Sequence, residues 1–395
     1  MQIPASIEPF IWPFVYGAVI LMVFPLIAGY IVLLERKVMA DIQVRLGPMR
    51  VGPHGLLQPL ADALKLLLKE DIIPALADKW IFWISPIISV VTALVAVFLI
   101  PMSDKLPVPD TNIGLLLVLS LTSVGILGII LGGWSSNSNY PLLGALRSTA
   151  QLVSYEVALG FALVGGLMLA GTLSLQGIVM AQQEQRIWFV FYQPVAFVIY
   201  FIAALAETNR TPFDMPEAES EIVAGYHTEF SGFRFALYFL AEYANIVIVC
   251  SIMTILFLGG WLRPFPNVEA LAFLNYMPVV VLVVLGAACL TGLSRKPSKP
   301  QQVGMIVLGG LFILAGLACA IPVVNAAMSG LFWFILKVFL GVYTFIWVRF
   351  TVPRYRYDQL MNIGWRWLIP IAIANVVVTG IIMQREQILR AFGVE

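Results

Sequence analysis

From Glu207 to Tyr243 the chain reads ETNRTPFDMPEAESEIVAGYHTEFSGFRFALYFLAEY, with apolar segments on either side. It carries Glu207, Asp214, Glu217, Glu219, Glu221, Glu229 and Glu242 against only Arg210 and Arg234. Asp214 followed by Glu217 has capping-box spacing, and Pro216 falls in the first turn where its missing N–H costs nothing, so a short helix is expected there. Glu217 and Glu221 would share one face of it, with Glu219 on another. Like charges that close beside apolar walls disfavour joint ionisation, so one or more of these carboxyls is expected to hold its proton up toward neutrality. A solvated acidic loop is the plain alternative. Two neighbours argue against it. Glu207 closes an apolar segment, and Glu242 lies about 10 Å inside the next one at the rise of a helix, a depth where ionisable groups are costly and point to function.

The rest of the composition agrees with membrane residence. A chain of 395 residues that is 60% hydrophobic and 11% charged, with a mean hydropathy of +0.92, reads as an all-α polytopic membrane protein. A net charge of +1 excludes a nucleic-acid binder. No cationic leader or small-residue cleavage site surrounds the first apolar stretch, so that stretch is expected to stay in the mature protein. Cys250, Cys289 and Cys319 are dispersed in apolar segments, and the histidines are His54 and His227. That is too few ligands for an iron–sulfur cluster, haem pair or zinc site, so electron carriers are expected on other chains.

Ten segments are long enough to span: 11–34, 80–101, 113–134, 152–172, 187–207, 235–260, 277–293, 304–324, 330–350 and 365–384. An even number puts both termini on one side. Seventeen Lys and Arg fall in one set of loops against five in the other. The basic set, which includes the acidic island, is therefore expected in the cytoplasm, with the termini outside.

The first basic loop, 35–79, opens with Glu35, Arg36 and Lys37 and then runs RLGPMRVGP from Arg45, two stiff turns each preceded by a guanidinium. In the following GLLQPLADALKLLLKED, Gln58, Asp62, Lys65 and Lys69 form a polar stripe on a leucine-rich helix. Such a helix should lie in the interface plane, either as an ordinary surface element or as a lip over a cavity. Ser148, Gln151 and Tyr155 line up where the fourth span begins, with Glu156 about one turn inside, where a carboxylate must find a partner, stay protonated or face water. In the sixth span Tyr238, Glu242 and Asn245 share a face. Lys337 lies within the ninth, where an amine calls for a carboxylate such as Glu156 or Glu242. Arg349, Arg354, Arg356 and Asp358 form a basic turn able to meet the island.

Taken together, ERKVMADIQVRLGPMRVGPHGLLQPLADALKLLLKED, GALRSTAQLVSYEVALG, AETNRTPFDMPEAESEIVAGY, FALYFLAEYANI, FLGGW and PRYRYDQLMNIGWRWLIP closely resemble the H-subunit family of proton-pumping NADH-quinone oxidoreductase, the subunit 1 family of respiratory complex I. The resemblance covers most of the chain. It implies a core of eight helices, here 1–263 and 330–384. Residues 264–329 depart from that pattern with two additional spans around SRKPSKPQQ, and 385–395 are expected to be a periplasmic tail. It also implies a component of the bacterial inner membrane that binds no redox cofactor of its own. Quinone is the substrate, FMN and iron–sulfur clusters sit in partner subunits, and the neighbours are hydrophilic quinone-site subunits, small membrane subunits and lipid. Positions matching the family's quinone tunnel are Glu35, Arg36, Arg45, Asp62, Arg210, Phe213, Phe235, Phe239 and Arg354. Those matching its polar connection into the membrane are Glu207, Asp214, Glu217, Glu219, Glu221, Glu229, Glu242 and Glu156, with Lys337 joined to them by its burial. The membrane anchor of a related energy-converting hydrogenase or of a quinone oxidoreductase not fed by NADH, and a self-contained secondary transporter, are the competing readings. Quinone reactivity discriminates the first, and transport by the chain alone the second.

Overall fold

Apolar runs of this length have one way to satisfy their backbone inside lipid without a closed barrel, which is to form helices. The computed structural model describes residues 8–105, 111–215, 224–266, 268–292 and 299–384, and helices account for its regular structure. They are α1 (Glu8–Ile42), α2 (Gln58–Leu68), α3 (Lys79–Phe98), α4 (Gly114–Ser135), α5 (Asn139–Ala170), α6 (Leu175–Glu184), α7 (Phe189–Tyr192), α8 (Pro194–Glu207), α9 (Gly232–Phe257), α10 (Met277–Thr291), α11 (Lys299–Cys319), α12 (Pro322–Thr351), α13 (Tyr357–Asn362) and α14 (Ile369–Met383). A π turn over Ile363–Leu368 joins the last two into one span. Among the described residues nine helices are long and apolar enough to cross a bilayer, so the chain is a polytopic membrane protein.

The fifth expected span, 187–207, is broken. Pro194 has no N–H and disfavours helical geometry in the residue before it, and Gln193 sits at φ −128°, ψ 54°. What remains is the 14-residue α8, about 21 Å long. The break places a buried polar side chain between two helices. Gln193 donates to Thr379 Oγ1 at 2.7 Å and accepts from Asn375 Nδ2 at 2.7 Å, tying α8 to α14. A second difference lies at Pro322. The span expected at 304–324 stops at Cys319, and Pro322 opens α12 in the first turn, where its missing N–H is harmless. Position 330 therefore falls inside a helix.

Helix α9 is the most buried of the spans, and α3, α5, α8 and α12 pack around it. Lipid offers no hydrophobic drive between helices, so close approach through small residues matters. A Cβ on Gly128 would lie 2.1 Å from Ser89 Oγ across α3 and α4, and one on Gly132 would lie 2.2 Å from Tyr238 Oη on α9. The capping-box helix and Glu217, Glu219 and Glu221 lie outside the described residues.

Candidate functional site

The island is held by α5. Gln151 is fully buried, and its Nε2 donates to the carbonyls of Ala206 and Phe213, both at 2.7 Å, clamping the two ends of the loop that carries Arg210. One turn on, Tyr155 donates to Leu360 O at 2.9 Å, and its ring meets Phe213 at 5.6 Å. Phe213 in turn stacks on Tyr355 at 5.7 Å. Of the stripe Ser148, Gln151, Tyr155, the last two are thus a scaffold for the loop. The basic turn does meet the island: Arg354 pairs with Asp214 at 3.0 Å, and Tyr355 N donates to Pro212 O at 3.1 Å.

Two cavities lie beside this loop. The larger, about 720 Å³, is bounded by α1, α2, the start of α9 and residues 224–231. Its polar rim is the face of α2 bearing Gln58, Asp62, Lys65 and Lys69, while Leu60, Leu64 and Leu68 point away and are exposed. Leu66 and Leu67 line the cavity beside that polar stripe, so α2 closes one side of it as a lip with a mixed inner face. Arg36 pairs with Asp62 at 2.7 Å, and Gln58 donates to the other Asp62 oxygen at 2.9 Å. At the lip's far end Ile72 N donates to Ser231 Oγ at 3.0 Å. Arg234, lying 4.2 Å from the Trp83 ring centroid, pairs with Asp71 at 3.1 Å. The opposite wall is the aromatic row Phe235, Phe239, Tyr243, one residue per turn of α9.

The smaller cavity, about 40 Å³, lies inside the bundle against Glu207, Thr208, Asn209, Tyr238, Glu242 and Asn245. Glu242, Tyr238 and Asn245 share the face expected of them. Tyr238 donates its hydroxyl proton to Gly128 O at 3.0 Å, and Arg210 Nε meets Glu242 Oε1 at 2.6 Å. Oε2 of Glu207 is sealed from solvent and has no hydrogen-bond partner among the described residues. Glu156 accepts from Ser123 Oγ and lies within electrostatic reach of Glu207.

One residue touches both systems. Arg210, bonded to Glu242, also lies 4.8 Å from the Tyr243 ring centroid and 5.9 Å from that of Phe239, the aromatic wall of the larger cavity. Tyr243 donates at 2.6 Å to Glu35, whose second oxygen meets Arg349.

Arg36, Asp62, Phe235 and Phe239 line the larger cavity, Glu35 stands behind Tyr243, and Arg210 behind the aromatic wall. Arg45 and Phe213 line neither cavity: Arg45 is exposed and donates to Gln43 at 2.8 Å, and Phe213 is buried between Tyr155 and Tyr355. Glu229 also lines neither. Lys337 meets no carboxylate among the described residues. Its Nζ donates to the carbonyls of Leu258, Gly260 and Leu262 at 2.6, 2.9 and 2.6 Å, and lies 4.6 Å from the Trp188 ring centroid. The C-cap carbonyl of α9 and two carbonyls of the turn that follows it satisfy the amine instead. Sequence reasoning missed Tyr243 and Arg349 as site residues. The first was legible as the third member of the i, i+4, i+8 row. The second was read as part of a basic turn able to meet the island, whereas its partner is Glu35, 314 positions away.

Fold and site together define a polytopic helical membrane protein with an interior lined by charged groups. The model of the NADH dehydrogenase family matches residues 15–380. A relative from Solibacter usitatus, the second of its NADH-quinone oxidoreductase H subunits, is 60% identical over 95% of this chain and 97% of its own length. The corresponding figures for the first H subunit of Koribacter versatilis are 49%, 96% and 93%, and for the second of Geobacter metallireducens 42%, 93% and 95%. The chain belongs to this family, that of the H subunits of NADH-quinone oxidoreductase.

Proposed function

We propose that the chain is the inner-membrane subunit of a bacterial NADH-quinone oxidoreductase that walls the quinone chamber and couples quinone reduction to proton translocation. The observation that carries this is Arg210, which meets the aromatic wall of the larger cavity on one side and the largely buried carboxylate of Glu242 on the other. A quinone needs an apolar path for its tail and a few polar groups near its head. The row Phe235, Phe239, Tyr243 suits the ring and tail, and Arg36, Asp62 and the lip lysines supply the polar rim. Electrons reach the headgroup from FMN and iron–sulfur clusters carried by hydrophilic partner subunits.

Reduction to the quinol adds negative charge that protons then neutralise. A cation beside the chamber responds to that charge, and Arg210 cannot shift without changing what Glu242 feels. Glu207, Asn245 and Glu242 surround a cavity able to hold an ordered water, and Glu156 extends the series of acids. The basic ends of the bundle face the cytoplasm, the termini face the periplasm, and small membrane subunits and lipid cover the apolar flanks. The test is Glu242→Gln and Glu156→Gln in the assembled complex. NADH-driven, inhibitor-sensitive quinone reduction is expected to continue with proton pumping reduced, and normal pumping in both variants removes the route.

A further inference from the structure

Helices α10 and α11 form a hairpin whose seam is made of glycines. A Cβ on Gly286 would lie 2.6 Å from Ile313 Cγ1, and one on Gly309 would lie 3.1 Å from Gly286 O, so the two backbones pack in close contact. Its outer side carries exposed Leu311, Leu314 and Leu317. It packs on α12 and, at the start of α11, on the turn Pro53–Gly55 of the first loop. There the approach is closest at Gly304, where a Cβ would lie 2.4 Å from Pro53 Cγ. A proline ring has no rotamer by which to yield.

That turn is itself close-packed and leads straight into the lip. Gly55 holds φ +78° with its Cβ position 2.2 Å from Pro48 O, and Gly52 holds φ +74° against Leu57. Leu57 N donates to Val51 O at 3.2 Å, and Lys37 Nζ to His54 O at 2.8 Å. Five residues after Pro53, Gln58 opens α2 and hydrogen-bonds Asp62, the partner of Arg36. The lip's exit is anchored to α9 through Ser231 and Arg234, and its entry is held by α1, through Lys37 and Arg36, and by the hairpin at Pro53.

We propose that the α10–α11 hairpin braces the lip of the larger cavity through the contact of Gly304 with Pro53, and so sets the position of Gln58, Asp62 and Lys65 at its rim. The claim rests on the reading of that cavity as the quinone chamber. It gives the two additional helices a part in substrate access.

The test uses the assembled complex carrying Gly304→Ala, Pro53→Ala, both together, or Gly310→Ala, the last because a Cβ at Gly310 meets nothing within 4 Å. Amide hydrogen exchange over residues 56–69 and KM for short-chain ubiquinone and menaquinone analogues are measured. Gly304→Ala is expected to speed exchange in the lip severalfold and to raise KM with little change in kcat. Adding Pro53→Ala, which removes the obstructing ring atoms, is expected to restore both. Lip exchange in assembled Gly304→Ala equal to that in Gly310→Ala overturns the brace. Faster exchange with unchanged KM keeps the brace and rejects the chamber reading. Should Gly304→Ala fail to assemble, Pro53→Ala alone decides: it thins the contact without a clash, so faster lip exchange supports the brace and unchanged exchange overturns it.

Discussion

Arg210 Nε lies 2.6 Å from Glu242 Oε1, with both side chains largely withdrawn from solvent. Charges this deep are kept only in company, because removing one partner leaves the other without compensation. Arg210→Ala is therefore expected to cost about 3–5 kcal/mol. Arg210→Ala with Glu242→Ala should cost less than the first change alone. Thermal unfolding of the purified complex, run as a double-mutant cycle, checks the coupling.

Glu35 is held from two sides, by Arg349 and by the Tyr243 hydroxyl. Tyr243→Phe removes one hydrogen bond to a charged group, worth about 1.5–3 kcal/mol. Arg349→Ala removes the only ion pair found for Glu35 among the described residues and is expected to cost more. Both changes also free the aromatic wall. KM for quinone should therefore rise in each, more in the arginine variant, and steady-state kinetics on matched amounts of assembled complex measure it.

Lys337 directs its three protons to the carbonyls of Leu258, Gly260 and Leu262. Lys337→Met would strand those carbonyls at about 1–3 kcal/mol each where water cannot reach them. The expected outcome is a lower yield of assembled complex with an unchanged number of protons pumped per NADH oxidised. A lowered ratio would instead place the lysine in the proton path.

Gln151 clamps Ala206 to Phe213 and thereby shapes the loop of Arg210. Gln151→Leu preserves the bulk of the side chain and loses both donors. Hydrogen exchange over 206–213 should accelerate, and turnover should fall severalfold. Gln151→Glu, which brings acceptors to two carbonyls, should be worse than leucine.

Much of the architecture could be read from the chain. Hydropathy located the spans, and the spacing of Gln58, Asp62, Lys65 and Lys69 placed their stripe on one face of α2. The face shared by Tyr238, Glu242 and Asn245 was visible in the same way. The break at Gln193 was signalled by Pro194, but a run that is apolar on both sides of a proline has the same mean hydropathy whether or not the helix continues. The direction of the α2 stripe could not be read, since polar-in and polar-out helices have identical periodicity. Nor could the partner of Lys337, because backbone carbonyls in the turn after α9 carry no sequence signature.

The sequence by itself determined membrane residence, the placement of acids among apolar spans and, through the quoted motifs, the family. Those properties are local or periodic, and each is written in a window of some twenty residues. Only the tertiary structure decided that Glu35 meets Arg349 and Tyr243, that Arg210 stands between two cavities, and that Gly304 rests on Pro53. Helix packing brings together residues up to 314 positions apart, and neither the composition nor the periodicity of a segment records which neighbour its buried face will meet.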